Sequence, residues 1–171
     1  MNEKTIRLTS LSREELNTLI VDEWGEKPFR AKQLWSWLYV KLVSDVRDMT
    51  DLSKIFRAKL EKVCQPLSPT VQSQQISKDG TQKWLLSFTD GQQVETVYIP
   101  EEDRGTLCVS SQVGCSLACP FCFTGTQKLV RNLTTSEIVE QVTFARSQVE
   151  ARGQRLTNIV LMGMGEPLHN Y

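Results

Sequence analysis

Gly114-Cys115-Ser116-Leu117-Ala118-Cys119-Pro120-Phe121-Cys122-Phe123 is the stretch on which the reading of this chain turns. It holds three of the five cysteines, spaced Cys-x3-Cys-x2-Cys within eight residues. Thiolate is the favoured ligand of iron–sulfur clusters and of zinc, and three so close together can wrap one face of a compact metal centre. A 4Fe–4S cube normally takes four cysteines, so three leave one iron open to another ligand. Three other readings compete. A structural zinc site wants a fourth ligand at a familiar spacing, and the only histidine, His169, lies far down the chain. A disulfide is disfavoured, because no secretory signal is present and the cytosol keeps thiols reduced. Three unconnected core cysteines would be an odd coincidence in a loop flanked by glycine and proline.

Working outward, the polar loop Phe123-Thr124-Gly125-Thr126-Gln127 leads to Thr134-Thr135-Ser136-Glu137, a capping-box opening for a helix. Ile138, Val142, Ala145 and Val149 form its apolar stripe, and Arg152-Gly153 ends it. Ile159-Val160-Leu161-Met162 is a continuous apolar run, as in a buried parallel strand, and it feeds Gly163-Met164-Gly165-Glu166-Pro167. With a strand at Thr106–Ser111, residues 106–163 read as one βαβ unit. Ligands of parallel α/β folds bind at the carboxyl ends of the strands. The cysteine loop and the Gly-Glu-Pro loop both lie at such ends and are expected to face one site. Gly165 lets a ligand approach the backbone, and Glu166 offers a carboxylate to an ammonium group. Alone, that second motif reads as a tight turn.

Upstream the texture is antiparallel β. Val71–Ser77, Lys83–Phe88 and Val94–Ile99 are candidate strands, joined by Asp79-Gly80 and Asp90-Gly91 turns. Glu95 reads by default as a solvent-facing acid and Cys108 as a packing residue, although a buried Glu95 would suit a general base. Gln65-Pro66-Leu67-Ser68-Pro69 suggests a linker. Before it, residues 1–64 read as three helices. Ser12 and Glu15 box the first, which carries Leu16, Leu19 and Ile20 and stops at Gly25. Pro28 opens the second, to about Leu42, with Leu34 and Leu38 on one face and Trp35 and Trp37 to either side. The third follows Asp51 or Ser53, with Leu52, Ile55, Phe56, Leu60 and Val63 as its apolar set.

Composition bounds the class. The chain has 171 residues, 40% hydrophobic and 23% charged, which suits a water-soluble globular protein of one domain or two small ones. No stretch approaches a membrane span or a secretory signal, so a cytoplasmic location without membrane attachment is expected. Net charge is zero, but Glu26–Cys64 carries nine Lys/Arg against five acids. That basic face beside tryptophans could grip phosphates and stack on bases. On pattern alone, a solvated helical surface over an aromatic core is the commoner case.

The Cys-x3-Cys-x2-Cys spacing resembles the cluster loop of the radical S-adenosylmethionine (SAM) superfamily. There the open iron binds the amino and carboxylate groups of SAM, which is cleaved to a 5′-deoxyadenosyl radical. Further stretches sharpen the resemblance: Val94-Glu95-Thr96-Val97-Tyr98-Ile99-Pro100, Cys108-Val109-Ser110-Ser111-Gln112-Val113-Gly114-Cys115, Thr124-Gly125, Arg131-Asn132-Leu133, Glu137-Ile138 and Met162-Gly163-Met164-Gly165-Glu166-Pro167-Leu168. Together with Pro28-Phe29-Arg30-Ala31-Lys32-Gln33 and Trp37-Leu38-Tyr39, they resemble the RlmN/Cfr family of radical SAM adenine methyltransferases over nearly the whole chain.

That resemblance implies methylation of carbon 2 of an adenosine in 23S rRNA and in some tRNAs, or of carbon 8 in the Cfr branch. The route uses two SAM molecules, a methyl-cysteine intermediate and an electron donor such as a flavodoxin system. It implies that Cys115, Cys119 and Cys122 hold a 4Fe–4S cluster and that Gly165 and Glu166 bind SAM. It makes Glu95 the proton acceptor and Cys108 a thiol that resolves the RNA adduct through a disulfide with the methyl-carrying cysteine. The implied organisation is α/β: a helical RNA-binding module over 1–64, a linker and antiparallel β segment over 65–105, and the start of a radical SAM partial (β/α) barrel over 106–171. The chain ends at Tyr171, and no cysteine remains for the methyl carrier. The expectation is that this stretch alone does not methylate and that strand 159–162 lacks a partner on one side. A non-catalytic RNA-binding module and a zinc-stabilised domain are the alternatives.

Overall fold

The computed structural model describes residues 5–65 and 67–171, so Pro66 of the expected linker lies outside the described residues. The chain divides into two compact units, Met1–Ser68 and Pro69–Tyr171.

In the first unit, Ser12 and Glu15 cap helix α1 (Arg13–Thr18) reciprocally: the Glu15 amide donates to Ser12 Oγ at 3.1 Å and the Ser12 amide to the Glu15 carboxylate at 2.8 Å. A π-helical turn, Leu19–Glu23, continues it, and Gly25 stops it at φ 69°. Pro28 opens α2 (Pro28–Tyr39), which ends three residues short of Leu42 because Leu42 adopts a left-handed φ of 57°. Ser53 accepts from the Phe56 amide and caps α3 (Lys54–Val63). Leu16, Ile20, Leu34, Met49, Phe56 and Leu60 make the buried core. Ile55, expected in the apolar set of α3, is instead 84% exposed. It falls one position off the Leu52–Phe56–Leu60 row, whose four-residue step keeps a single face inward.

The tryptophans of this unit are already engaged. The Trp37 indole N–H donates to Asp51, and Lys41 Nζ stands 3.4 Å from the Trp37 ring centroid. Trp24 meets Phe56 edge-on at 6.1 Å, with Lys59 Nζ 4.4 Å from its centroid. Trp35 packs on Tyr39 at 4.3 Å. These rings are engaged within the unit by ring, cation and hydrogen-bond contacts.

The second unit is a five-stranded mixed sheet in the order β1-β2-β3-β4-β7, with β1 Thr70–Ile76, β2 Gln82–Ser87, β3 Gln93–Pro100, β4 Gly105–Cys108 and β7 Asn158–Val160. A small ribbon pairs β5 (Gln112–Val113) with β6 (Arg131–Asn132). β1 to β4 are antiparallel, joined first by three-residue turns with Gly80 and Gly91 at φ 85° and 80°. Asp79 and Asp90 accept from the amides two residues on, of Thr81 and Gln92. β4 and β7 are parallel, and α4 (Thr135–Glu150), boxed by Thr134 and Glu137, makes the crossover. Ala145 and Val149 of α4 seal one sheet face against Trp84, Leu86, Tyr98 and Leu107. The other face carries Lys83, Glu95, Val97 and Cys108. β4 ends at Cys108, not Ser111, because Ser110 and Ser111 leave the ladder for side-chain and loop partners. The run Ile159–Met162, expected to be buried, is exposed, Ile159 by 53%, because β7 pairs with β4 alone.

Arg131 ties the Asp90 turn (2.7 Å) to Glu137 in the first turn of α4 (2.8 and 2.9 Å). The guanidinium holds the Asp90 carboxyl below its usual range. A carboxyl with a lowered folded pKa stabilises the protein above its ordinary pKa, and that stabilisation is lost as pH falls through the folded value. Arg131→Met is expected to flatten the loss of stability below about pH 4 in urea titrations across pH. In the first unit, Leu60→Ala is expected to cost about 2–5 kcal/mol in urea unfolding. Ile55→Ala should stay within about 0.5 kcal/mol of wild type.

Candidate active site

Parallel pairing of Leu107 with Ile159 and of Cys108 with Val160 sends both strands out of the sheet at the same end. The chain after β4 becomes Val109–Ser111, then β5 and the cysteine loop. The chain after β7 becomes Gly163–Pro167. The two are sewn together. The Ser111 and Gln112 amides both donate to the Met164 carbonyl (2.8 and 3.2 Å), and the Met164 amide donates to Ser110 Oγ (2.9 Å). The Gly163 amide reaches the Val109 carbonyl at 3.1 Å. A Cβ on Gly163 would stand 2.7 Å from that same oxygen. Beneath them, the buried side chain of Gln141 on α4 accepts from the Ser110 amide and Thr96 Oγ1 and donates back to the Ser110 carbonyl.

The cysteine loop springs from the β5–β6 ribbon. Gly114 turns it at φ 73°, and Cys115 bridges to Lys128. Within it, Cys115 Sγ accepts from the Leu117 amide at 3.4 Å, the Cys122 amide donates to the Cys119 carbonyl at 3.1 Å, and the Gly125 amide donates to the Cys122 carbonyl at 3.0 Å. Hydrogen bonding from the Gly125 backbone holds the Cys122 thiol below the ordinary thiol range against an opposing burial effect, with smaller help from Thr124. All five cysteines are free, and these three are half-exposed. Among the described residues, no three His, Cys, Asp or Glu side chains are gathered as a ready-made single-ion site. The donor chemistry of the loop, three unpaired thiols of which Cys122 is held below the ordinary thiol range, fits an iron–sulfur cluster.

Glu95 and Cys108 share one sheet face, since Cys108 pairs with Val97, two residues from Glu95. The Glu95 carboxylate is half-exposed and ion-paired with Lys83 at 3.0 Å. Its backbone is pinned on both sides: the amide donates to Met164 Sδ at 3.4 Å and the carbonyl accepts from Ser110 Oγ at 2.6 Å. Cys108 is half-buried, and burial pushes its thiol up, partly opposed by a backbone hydrogen bond from Met162. Gly165 takes φ 101°, and what approaches its backbone is Gln112, whose Cβ, N and Cγ lie 2.6–2.8 Å from where a Gly165 Cβ would be. Glu166 Oε1 accepts from the Leu168 amide at 3.0 Å.

Sequence reasoning passed over the polar frame: Ser110, Gln112, Asn132, Gln141 and Asn170. The Asn170 side-chain amide donates to the carbonyls of Ser111 and Leu133 at 2.7 and 2.9 Å. The signal was Ser110-Ser111-Gln112 inside an apolar strand, since polar groups are buried there only when paired.

Residues 6–65 match the ribosomal RNA large subunit methyltransferase N-terminal domain family. The chain is 63% identical over its whole length to the dual-specificity RNA methyltransferase RlmN of Magnetococcus marinus, of which it covers 48%. It is 56% identical, over 99% of its length and 41% of the relative, to the RlmN of Rhodospirillum rubrum. By sequence, the chain is similar to the N-terminal portion of these RlmN proteins. A crystal structure of a radical SAM methyltransferase from Sphaerobacter thermophilus superposes on 97% of the chain with a TM-score of 0.92 at 42% identity, the chain covering 49% of it. The chain spans about half the length of the curated RlmN proteins it matches.

Alkylation separates the thiols. Cys64, in the first unit, is pushed up to about 12 by burial, so little of it is thiolate at neutral pH. Iodoacetamide at pH 8 is expected to modify Cys122 at least about tenfold faster than Cys64, read by peptide mass spectrometry.

Proposed function

We propose that this chain is the cluster-bearing portion of a radical SAM RNA methyltransferase that methylates carbon 2 of an adenosine in 23S rRNA and in some tRNAs. One observation carries the reading. Three free thiols at Cys-x3-Cys-x2-Cys spacing leave the carboxyl end of β4 hydrogen-bonded to the Gly165-Glu166 loop at the end of β7, in a chain whose relatives are named RNA methyltransferases.

Cys115, Cys119 and Cys122 hold the 4Fe–4S cluster, and the Gly165-Glu166 loop takes SAM. When bound, these supply the one-electron chemistry that a non-nucleophilic aromatic carbon demands. Glu95 accepts the proton that carbon 2 gives up. Lys83 keeps its carboxylate paired, and the bonds to Ser110 and Met164 fix its backbone beside both loops. Cys108, on the same face, is the resolving thiol. The first unit meets RNA through its surplus of cations. An electron donor of the flavodoxin class serves the cluster. No helix among the described residues is long and apolar enough to cross a membrane.

Anaerobic reconstitution with iron and sulfide tests this. The 171-residue chain is expected to bind about four irons and, once reduced, to give a paramagnetic resonance signal that changes when SAM is added. Alanine at Cys115, Cys119 or Cys122 abolishes the cluster. Bound zinc with no iron uptake would sink the proposal.

A further inference from the structure

We infer that Gln112 is a positioning residue that sets the separation of the cysteine loop from the Gly165-Glu166 loop, and through it the fit of SAM between them. The inference rests on the radical SAM reading above and adds a residue that reading does not use.

Gln112 is fully buried. Its single side-chain oxygen accepts from the Ser116 amide at 3.1 Å and the Glu166 amide at 3.0 Å. Ser116 directly follows Cys115 and Glu166 directly follows Gly165, so one oxygen holds the backbones of both loops at the residues that matter. Two acceptor lone pairs on a carbonyl allow this double duty. The side-chain nitrogen donates to Asn132 Oδ1 at 2.8 Å, which settles which end of the amide faces the loops. A closed ring then forms: Asn132 Nδ2 donates to the His169 carbonyl at 3.2 Å, and His169 Nδ1 lies 2.8 Å from Ser116 Oγ. Gly165 completes the clamp from above. It has no Cβ because Gln112 occupies that space. The close approach of Gly165 to Gln112 Cβ and Cγ holds the side chain in place beneath the two loops.

The cofactor-free chain and the reconstituted chain together test this. In Gln112→Ala, amide hydrogen exchange is expected to speed up at Ser116 and Glu166 while Leu86 and Val94 in the sheet stay protected. The cluster is retained, but the SAM-induced change in its resonance signal needs about 10- to 100-fold more SAM, the usual scale for losing a supporting residue behind a metal site. Gln112→Glu keeps the acceptor oxygen but loses the N–H that Asn132 Oδ1 accepts, so it is expected to recover the two readouts only in part, above Gln112→Ala and below wild type. Equal protection and equal SAM response in Gln112→Ala and wild type would overturn the role of Gln112 and leave the radical SAM reading standing. If wild type itself takes up a cluster that ignores SAM, the SAM reading fails first and this inference with it. Should Gln112→Ala lose protection throughout the sheet, Gln112→Met, of matched shape and without the oxygen, decides. The same global loss there would make Gln112 a stability residue and overturn the proposal.

Discussion

Thr106 opposite Asn158, Leu107 opposite Ile159 and Cys108 opposite Val160 hold β4 and β7 parallel, and the arrangement of the site descends from that register. Parallel neighbours cannot be joined by a hairpin, so a long crossover is obligatory, and the sixteen residues of α4 supply it. The crossover has two effects. It seals one face of the sheet with Ala145 and Val149, and it brings the end of β7 beside the end of β4. Two loops distant in sequence thereby share carbonyls and amides. The antiparallel strands β1 to β3 extend the same sheet and carry Glu95 to the edge of that junction.

The junction is held by neutral amides and hydroxyls rather than by charges. Ser110, Gln112 and Gln141 are each fully buried and each hydrogen-bonded to more than one partner. Buried amides in this number are tolerable only when every donor and acceptor is met, and a network that meets them admits one geometry. The two candidate loops, whose own residues are half-exposed, thus sit on a frame far more determined than they are. Charge enters at the periphery, where Arg131 joins the Asp90 turn to the first turn of α4.

Much of this was legible in the residues. Both capping boxes, the Pro28 helix start, the Gly80 and Gly91 turns and the order of strands follow from short-range chemistry that each segment carries by itself. The cysteine spacing and the Gly-Glu-Pro turn announced where to look. What the sequence hid depends on partners far along the chain. Ile55 looks as apolar as Phe56 and differs only in azimuth. Ile159 to Met162 has the composition of a buried strand, while its missing partner on one side is expected from the single βαβ unit and agrees with β7 at the sheet edge. Gln112 is silent because its meaning lies in Ser116 and Glu166 being brought to one oxygen. Gly165 reads as a place where a ligand can approach the backbone, and the sequence gives no sign that Gln112 also lies against it.

The cations over the indole rings of the first unit bear on how that surface would treat a polyanion. Nine Lys and Arg side chains lie between Glu26 and Cys64, but several are committed within the unit: Lys41 to Trp37 and Asp51, Lys59 to Trp24, Arg47 to Asp45 and Arg57 to the Arg47 carbonyl. Salt dependence of nucleic-acid affinity counts the mobile counterions released, and those follow the phosphates actually neutralised. The cations already paired with a carboxylate, Lys41 with Asp51 and Arg47 with Asp45, would bring less net charge to a phosphate than the others. The ionic-strength slope of such a complex is therefore shallower than nine positive charges suggest, and the surface trades raw attraction for cations held in fixed positions.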